Sequence, residues 1–403
     1  MKVRFREFKD KASLVEYLLS LGNTPKGAEI MGAKGRVYLF EISGIDTRAA
    51  NILKQDAISV GADCAVPRRA SSFEKGRWTV LLIATERELQ KLFKKLKEQP
   101  FGLKELQPKL ESALKNYYKN SFTLKLPRGG ELSLSSPAVM GILNTTPDSF
   151  SDGGLYSTLK SAVKRAEEMV REGALIIDVG GESTRPGAEP VPLKEELNRV
   201  IPVIKEIREK LGEGPVISVD TYKSEVARQA LEAGADIVND ISGLQFDEEM
   251  ADVVAAYKCP VVIMHIKGTP KNMQKNPTYG DVVGEISDYF DERINYALSR
   301  GVEREQIILD PGIGFGKRLV DNLCILKRFG EFRVFGLPLL IGTSRKSFIG
   351  AITGVGEPKD RLAGSLASIA PAYYGGAKIF RVHDVKETNH FLKLLEAVEE
   401  SRC

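Results

Sequence analysis

A chain of 403 residues, 42% hydrophobic and 28% charged with a net charge of +4, has an ordinary globular composition and the length of two domains. So small a charge does not ask for nucleic acid, which wants a basic stripe or face, and no run of about 18 apolar residues is present to span a membrane. The cysteines (Cys64, Cys259, Cys324, Cys403) are far apart, fit no zinc or redox spacing, and suit a reducing cytoplasm.

The chain reads as α/β: a small α+β domain over residues 1–120, then a (β/α)8 TIM barrel over 121–403. In the first part, RVYLFEI (36–42) and WTVLLIA (78–84) are rich in β-branched and aromatic residues and predict strands. Between them, IDTRAANILKQDAISVG predicts a helix stopped by Gly61. Thr85 and Glu88 make a T-x-x-E capping box, which opens a helix with the apolar stripe Leu89, Leu92, Phe93 and Leu96. No chemical motif marks this domain, and an assembly or partner-binding role is its simplest expectation.

From Phe122 the rhythm changes. FTLKLPRGGELSLS alternates apolar and polar residues about a Pro-Arg-Gly-Gly turn and predicts a hairpin, placed to close the N-terminal end of the barrel. Short apolar strands then alternate with amphipathic helices, at 138–144, 175–181, 216–221, 237–243, 260–266, 307–312, 338–344 and 379–385. Strands so uniformly apolar are buried on both faces, as parallel strands are. Eight such units over this length fit a closed barrel, with an open doubly wound sheet as the alternative.

In such a barrel, reactive groups gather where each strand ends. Those positions carry Asn144, Glu182-Ser183-Thr184-Arg185, Asp220, Asn239-Asp240, His265, Asp310, Ser344-Arg345-Lys346-Ser347 and Arg381-Val382-His383. Asp220 and Asp310 are separated carboxylates, suited to a ligand with several N–H donors such as an aminopyrimidinone. Arg381 and His383, two apart on one strand, share a side of it; with Asn144 they form a donor cluster suited to phosphate. His265 reads equally well as a core residue or a ligand. The loops at 144–154 and 180–187 have the length and glycine content of lids. Gly312-Ile-Gly-Phe-Gly-Lys317 does not meet the Walker pattern; its glycines are read as letting Phe315 and Lys317 approach a flat ligand.

Taken in order, MGILNTTPDSFSDGG (140–154), GGESTRPGA (180–188), SVDT (218–221), NDISG (239–243), LDPGIGFGK (309–317), TSRKSFIG (343–350) and RVHDV (381–385) resemble the dihydropteroate synthase family. The resemblance runs from about Leu132 to the C-terminus. It implies condensation of 6-hydroxymethyl-7,8-dihydropterin diphosphate with p-aminobenzoate, giving 7,8-dihydropteroate and pyrophosphate in folate biosynthesis. It implies a pterin site of Asp220, Asn239, Asp310, Lys346 and Arg345, and a diphosphate site of Asn144, Arg381 and His383 in which Asn144 holds Mg2+. Thr184, Arg185, Pro186, Phe315 and Ser347 would shape the p-aminobenzoate pocket. Asn144, Arg185, Lys346, Arg381 and His383 would stand nearest the chemistry. A cytoplasmic homodimer is the family's usual state.

Ile266, Lys267, Thr145 and Thr343 depart from common family residues, and none holds an assigned role. The N-terminal domain is a larger departure and bears on assembly rather than chemistry. Three rivals can be set beside this reading. A corrinoid-linked pterin methyltransferase would share the Asp/Asn seat but needs no diphosphate cluster. A non-catalytic pterin-binding scaffold would bind without turnover. A Schiff-base aldolase would make Lys346 its nucleophile.

Overall fold

The computed structural model describes residues 1–145, 155–185 and 187–401. The chain forms two compact units, Met1–Lys115 and Asn116–Cys403. In the first, strands β1 (Val37–Asp46), β2 (Asp63–Ala65) and β3 (Arg77–Thr85) make an antiparallel sheet in the order β1-β3-β2. The helix Thr47–Val60 ends on Gly61 at φ 94°, a left-handed cap that glycine adopts without steric cost. The glutamate half of the expected capping box forms, Glu88 accepting from the Thr85 amide at 2.7 Å while Thr85 Oγ1 is buried without a hydrogen-bond partner among the described residues, and the helix Glu86–Leu96 buries Leu89, Leu92, Phe93 and Leu96. These side chains pack with Leu53, Ala57, Val80 and Leu82 in one core. The short β2 falls in a stretch too brief to show a period, and no strand is predicted there.

The second unit opens with the hairpin β4 (Thr123–Lys125) and β5 (Glu131–Ser133), paired Leu124 to Leu132. Gly129 and Gly130 both take positive φ in its turn. The barrel strands are β6 (Ala138–Asn144), β7 (Ile176–Gly180), β8 (Val216–Asp220), β9 (Ile237–Asp240), β10 (Val261–Met264), β11 (Ile307–Asp310), β12 (Leu340–Ile341) and β13 (Ile379–Val382). They pair in parallel in the order β11-β10-β9-β8-β7-β6-β13-β12. A bridge between Leu309 and Leu339, with the Leu309 amide donating to Pro338 at 3.0 Å, joins the two edges. The sheet is therefore closed, and the open doubly wound alternative is set aside. The ladder of β12 is far shorter than the predicted 338–344. Pro338 has no amide hydrogen to donate, and beyond Ile341 the chain turns into its loop.

Alternation along the strands divides the barrel into shells. Val139, Ile177, Val179, Ile217, Val219, Ile263 and Phe380 face the helices. Met140, Ile176, Ile237, Val262, Ile308, Leu340 and Ile379 face the bore, where they pack with Phe122, Leu124, Leu132 and Leu134 of the hairpin. The hairpin thus plugs the N-terminal end, each buried leucine or phenylalanine contributing about 1.5–3 kcal/mol. Among the described residues no helix is long and apolar enough to cross a membrane.

Candidate active site

Two residues above the apolar floor, five of the strands turn polar. Because side chains repeat every second residue, Asp178 stands above Ile176, Ser218 and Asp220 above Val216, Asn239 above Ile237, Asp310 above Ile308 and Arg381 above Ile379. The register Gly180–Asp220–Asn239 sets neighbouring strand ends side by side, and Met264 pairs with Asp310 one strand further on. All of Asp178, Asp220, Asn239 and Asp310 are buried.

Arg381 crosses the bore to meet two of these acids. Its Nε donates to Asp178 at 2.6 Å and its Nη2 to Asp220 at 2.5 Å, which leaves Nη1 outside both pairs. Asn239 Nδ2 donates to the same Asp178 oxygen at 3.1 Å. Burial works against the Arg381 charge, but Asp178 and Asp220 outweigh it and push its pKa up. Burial drives Asp220 up to about 7 despite the pull of Arg381, and drives Asp310 up to about 6 despite the Gly312 amide and the nearby Lys346 and Lys317. Lys346 falls to about 8, pressed by burial and Arg381 and supported by Asp310 and Asp220. Opposed shifts gathered at one end of a barrel are the pattern of a reaction centre.

His383 sits beside this group. Its amide donates to Ser344 Oγ at 3.2 Å, and its Nδ1 lies 3.0 Å from the same oxygen. An oxygen that accepts from the amide has its own proton to give to Nδ1, which leaves Nε2–H as the outward donor. Burial, then Arg345 and Arg381, hold His383 down at about 3, so it is neutral at pH 7. Arg345, at φ 58°, pairs through Nε with Asp384 at 3.1 Å and is engaged there rather than over the bore.

The loops supply the remaining walls. Glu182 accepts from the Val191 amide at 3.0 Å, Tyr222 Oη at 2.8 Å and Lys223 Nζ at 2.7 Å, and Lys223 also binds Glu196. This anchors the segment carrying the half-buried Thr184 and the exposed Arg185. Phe315 packs with Ile241, Met264, Ile266 and Met273 in an apolar wall, and Lys346 Nζ lies 4.2 Å from its ring centre. Ser347, exposed, opens the helix Ser347–Thr353. Asn144 ends β6 half-buried, in register with Gly180. Pro186 and nearly all of the expected lid at 144–154 lie outside the described residues.

Two expectations need correcting, and two kinds of residue were not foreseen. Lys317 does not face a flat ligand. It is buried and bonded to His265 and to backbone carbonyls, because the loop glycines admit the end of β10 rather than a substrate. Ile266, read without a role, belongs to the Phe315 wall. Asp178 was not singled out, although it is the one charge inside LIIDVGG and that anomaly was its signal. Ile241, Met264 and Met273 carried no signal, since apolar wall residues look like core.

The pterin-binding-enzyme family profile matches residues 140–383. A dihydropteroate synthase of Synechocystis is 52% identical over 260 residues, 64% of this chain and 89% of that protein. A probable bifunctional folylpolyglutamate synthase/dihydropteroate synthase of Halobacterium salinarum is 42% identical over 375 residues, 93% of this chain and 44% of that one. A solved dihydropteroate synthase of Xanthomonas albilineans with 4-aminobenzoic acid superposes with a TM-score of 0.66 at 43% identity, covering 70% of this chain and all of that one. With its barrel and its ring of buried acids and bases, the chain belongs to the pterin-binding enzymes and, among them, to the dihydropteroate synthases, which are transferases.

Proposed function

We propose that the mouth of the barrel joins the methylene of 6-hydroxymethyl-7,8-dihydropterin diphosphate to the amine of p-aminobenzoate, with a distinct seat for each part. The observation that carries this division is the row of acids Asp178, Asp220 and Asp310 with Arg381 and Lys346 among them. Asp220 and Asp310 accept from the N–H donors of the pterin edge, with Asn239 beside them and Lys346 contacting the ring. Asp178 holds Arg381 and Asn239 in place from beneath. The carboxylates stand next to a ring on which positive charge develops as pyrophosphate departs.

Arg381, through Nη1, and His383, through Nε2–H, donate to the diphosphate as its charge grows. His383 does this as a neutral donor and need not lose a proton. The methylene–oxygen bond breaks with its electron pair on pyrophosphate, the arylamine lone pair forms the new C–N bond, and the amine releases a proton. Thr184, Arg185, Pro186, Phe315 and Ser347 bound the p-aminobenzoate seat, and Arg345, tied to Asp384, borders the pterin side.

Among the described residues no group of His, Cys, Asp and Glu is suited to hold a metal ion by itself. Magnesium fits this donor set, since it is commonly bound by one or two protein oxygens and substrate phosphates. Asn144 would be its protein ligand. When bound, the ion neutralises charge on the leaving diphosphate. A cytoplasmic homodimer completes the reading and rests on the resemblance alone.

The test is a pyrophosphate-release assay with the pterin diphosphate and Mg2+, run with and without p-aminobenzoate. Release coupled to dihydropteroate supports the reading. Pterin binding with no product in a folded sample returns the chain to the methyltransferase or scaffold alternatives.

A further inference from the structure

The loop after β11 is pressed against the end of β10 more tightly than side chains allow. Gly312, Gly314 and Gly316 all take positive φ, and a Cβ at Gly312 or Gly316 would collide with the carbonyl oxygen of His265 or Lys267. The loop's own amides are already committed: Gly312 donates to Asp310 at 2.7 Å, Gly314 to Asn322 at 2.7 Å and Phe315 to Gly312 at 3.1 Å. The inward carbonyls of His265 and Phe315 therefore need a donor from elsewhere.

Lys317 supplies it. Its Nζ donates to Phe315 O at 3.0 Å and to His265 O at 3.3 Å and lies 2.9 Å from His265 Nδ1; burial lowers its pKa to about 7, and in the protonated form its three protons match these three neutral acceptors. The side chain is 3% exposed. Two further bonds clasp the same crossing: Tyr279 Oη donates to Gly316 O at 2.6 Å and Gln274 Nε2 to Gly314 O at 2.8 Å. Burying such a group is costly, and the hydrogen bonds that offset part of that cost are all made at the crossing. What the crossing holds is Phe315, set between Met264, Ile266 and Met273 on one side and the Lys346 ammonium on the other.

We propose that Lys317 is a positioning residue for the second substrate: it latches the loop after β11 to the end of β10 and so places the Phe315 wall against which p-aminobenzoate lies. This rests on the assignment of Phe315 to the p-aminobenzoate seat. Lys317 touches neither substrate and acts through Phe315. His265, with its Nδ1 engaged by the ammonium and its ring edge-on to Tyr289 at 4.8 Å, is the fixed end of the latch.

The test compares steady-state KM values for both substrates in the full chain and in Lys317→Met, which keeps the length of the side chain and removes its donors. The expected result is a KM for p-aminobenzoate raised at least ten-fold, with the KM for the pterin diphosphate within two-fold of wild type. Lys317→Gln, which keeps amide donors, should fall between the two, and it carries the test alone if the methionine variant does not fold. An unmoved p-aminobenzoate KM, or an equal rise in both KM values, would overturn the latch while leaving the reaction intact. A wild-type chain that makes no dihydropteroate would overturn the functional reading and the latch together.

Discussion

The two ends of the barrel are built from the same strands and hold opposite chemistry. At the N-terminal end Ile176, Ile237, Ile308 and Ile379 meet the hairpin residues Phe122, Leu124, Leu132 and Leu134 in a dry apolar layer. One side-chain step along each strand, Asp178, Asn239, Asp310 and Arg381 occupy the same inward face. The first layer needs only volume and apolarity. The second places buried charges where Arg381, Lys346 and the loop amides offset part of their desolvation. Stability and function are thus separated by a single period of the strand, and changes at the two ends should have separable consequences.

The largest separation should come from the floor. Leu134→Ala removes a fully buried side chain from the hairpin plug and should lower unfolding free energy by about 2–5 kcal/mol. Both KM values should stay within two-fold, measured by denaturant titration beside steady-state kinetics at a temperature where the variant is folded. A KM that moves with stability would mean the two ends are not independent. At the mouth, Asp220→Asn replaces an acceptor with a group that presents donors. Pterin affinity should fall about 100-fold, or about 2.7 kcal/mol, by titration calorimetry. Wild-type affinity would remove Asp220 from the pterin seat.

A smaller effect is set by pH. Asp220 is held at about 7 and Asp310 at about 6 in the free enzyme, and both must be ionised to accept from the pterin. Binding is therefore complete only well above pH 7 and is lost as pH falls through these values. Affinity for 6-hydroxymethyl-dihydropterin, which carries no titrating phosphate, should be about twenty-fold weaker at pH 6 than at pH 8. A flat profile would contradict the placement of ionised carboxylates against the ring. Smallest of all, Lys267→Gln should change kcat and both KM values by less than about two-fold. Lys267 is nearly half exposed, lies 4.1 Å from the Tyr279 ring centre and 3.7 Å from Glu285, and belongs to neither seat. A ten-fold loss would extend the site outward along the β10 loop.

Much of the mouth was legible because strand ends break an apolar rhythm with charge. Asp220, Asp310 and Arg381 each follow a run of β-branched or large apolar residues, and the eight alternations of apolar strand with amphipathic helix indicated the barrel. The Glu88 half of the capping box and the Pro-Arg-Gly-Gly turn were legible for the same reason, since each needs particular residues at a fixed spacing. Partner choice was not legible. That Arg381 reaches Asp178 and Asp220, that Arg345 turns to Asp384 and that Lys317 turns inward to His265 depend on which strands lie opposite one another. The shortness of β12 escaped as well, because its apolar residues continue beyond the ladder.

The most direct test is a crystal structure of the full chain with 7,8-dihydropteroate bound. The pterin edge should lie on Asp220, Asn239 and Asp310, with Arg381 still held by Asp178 and the benzoate ring against Phe315. A pterin ring seated away from Asp220 and Asp310, or a benzoate ring out of contact with the Phe315 wall, would contradict it.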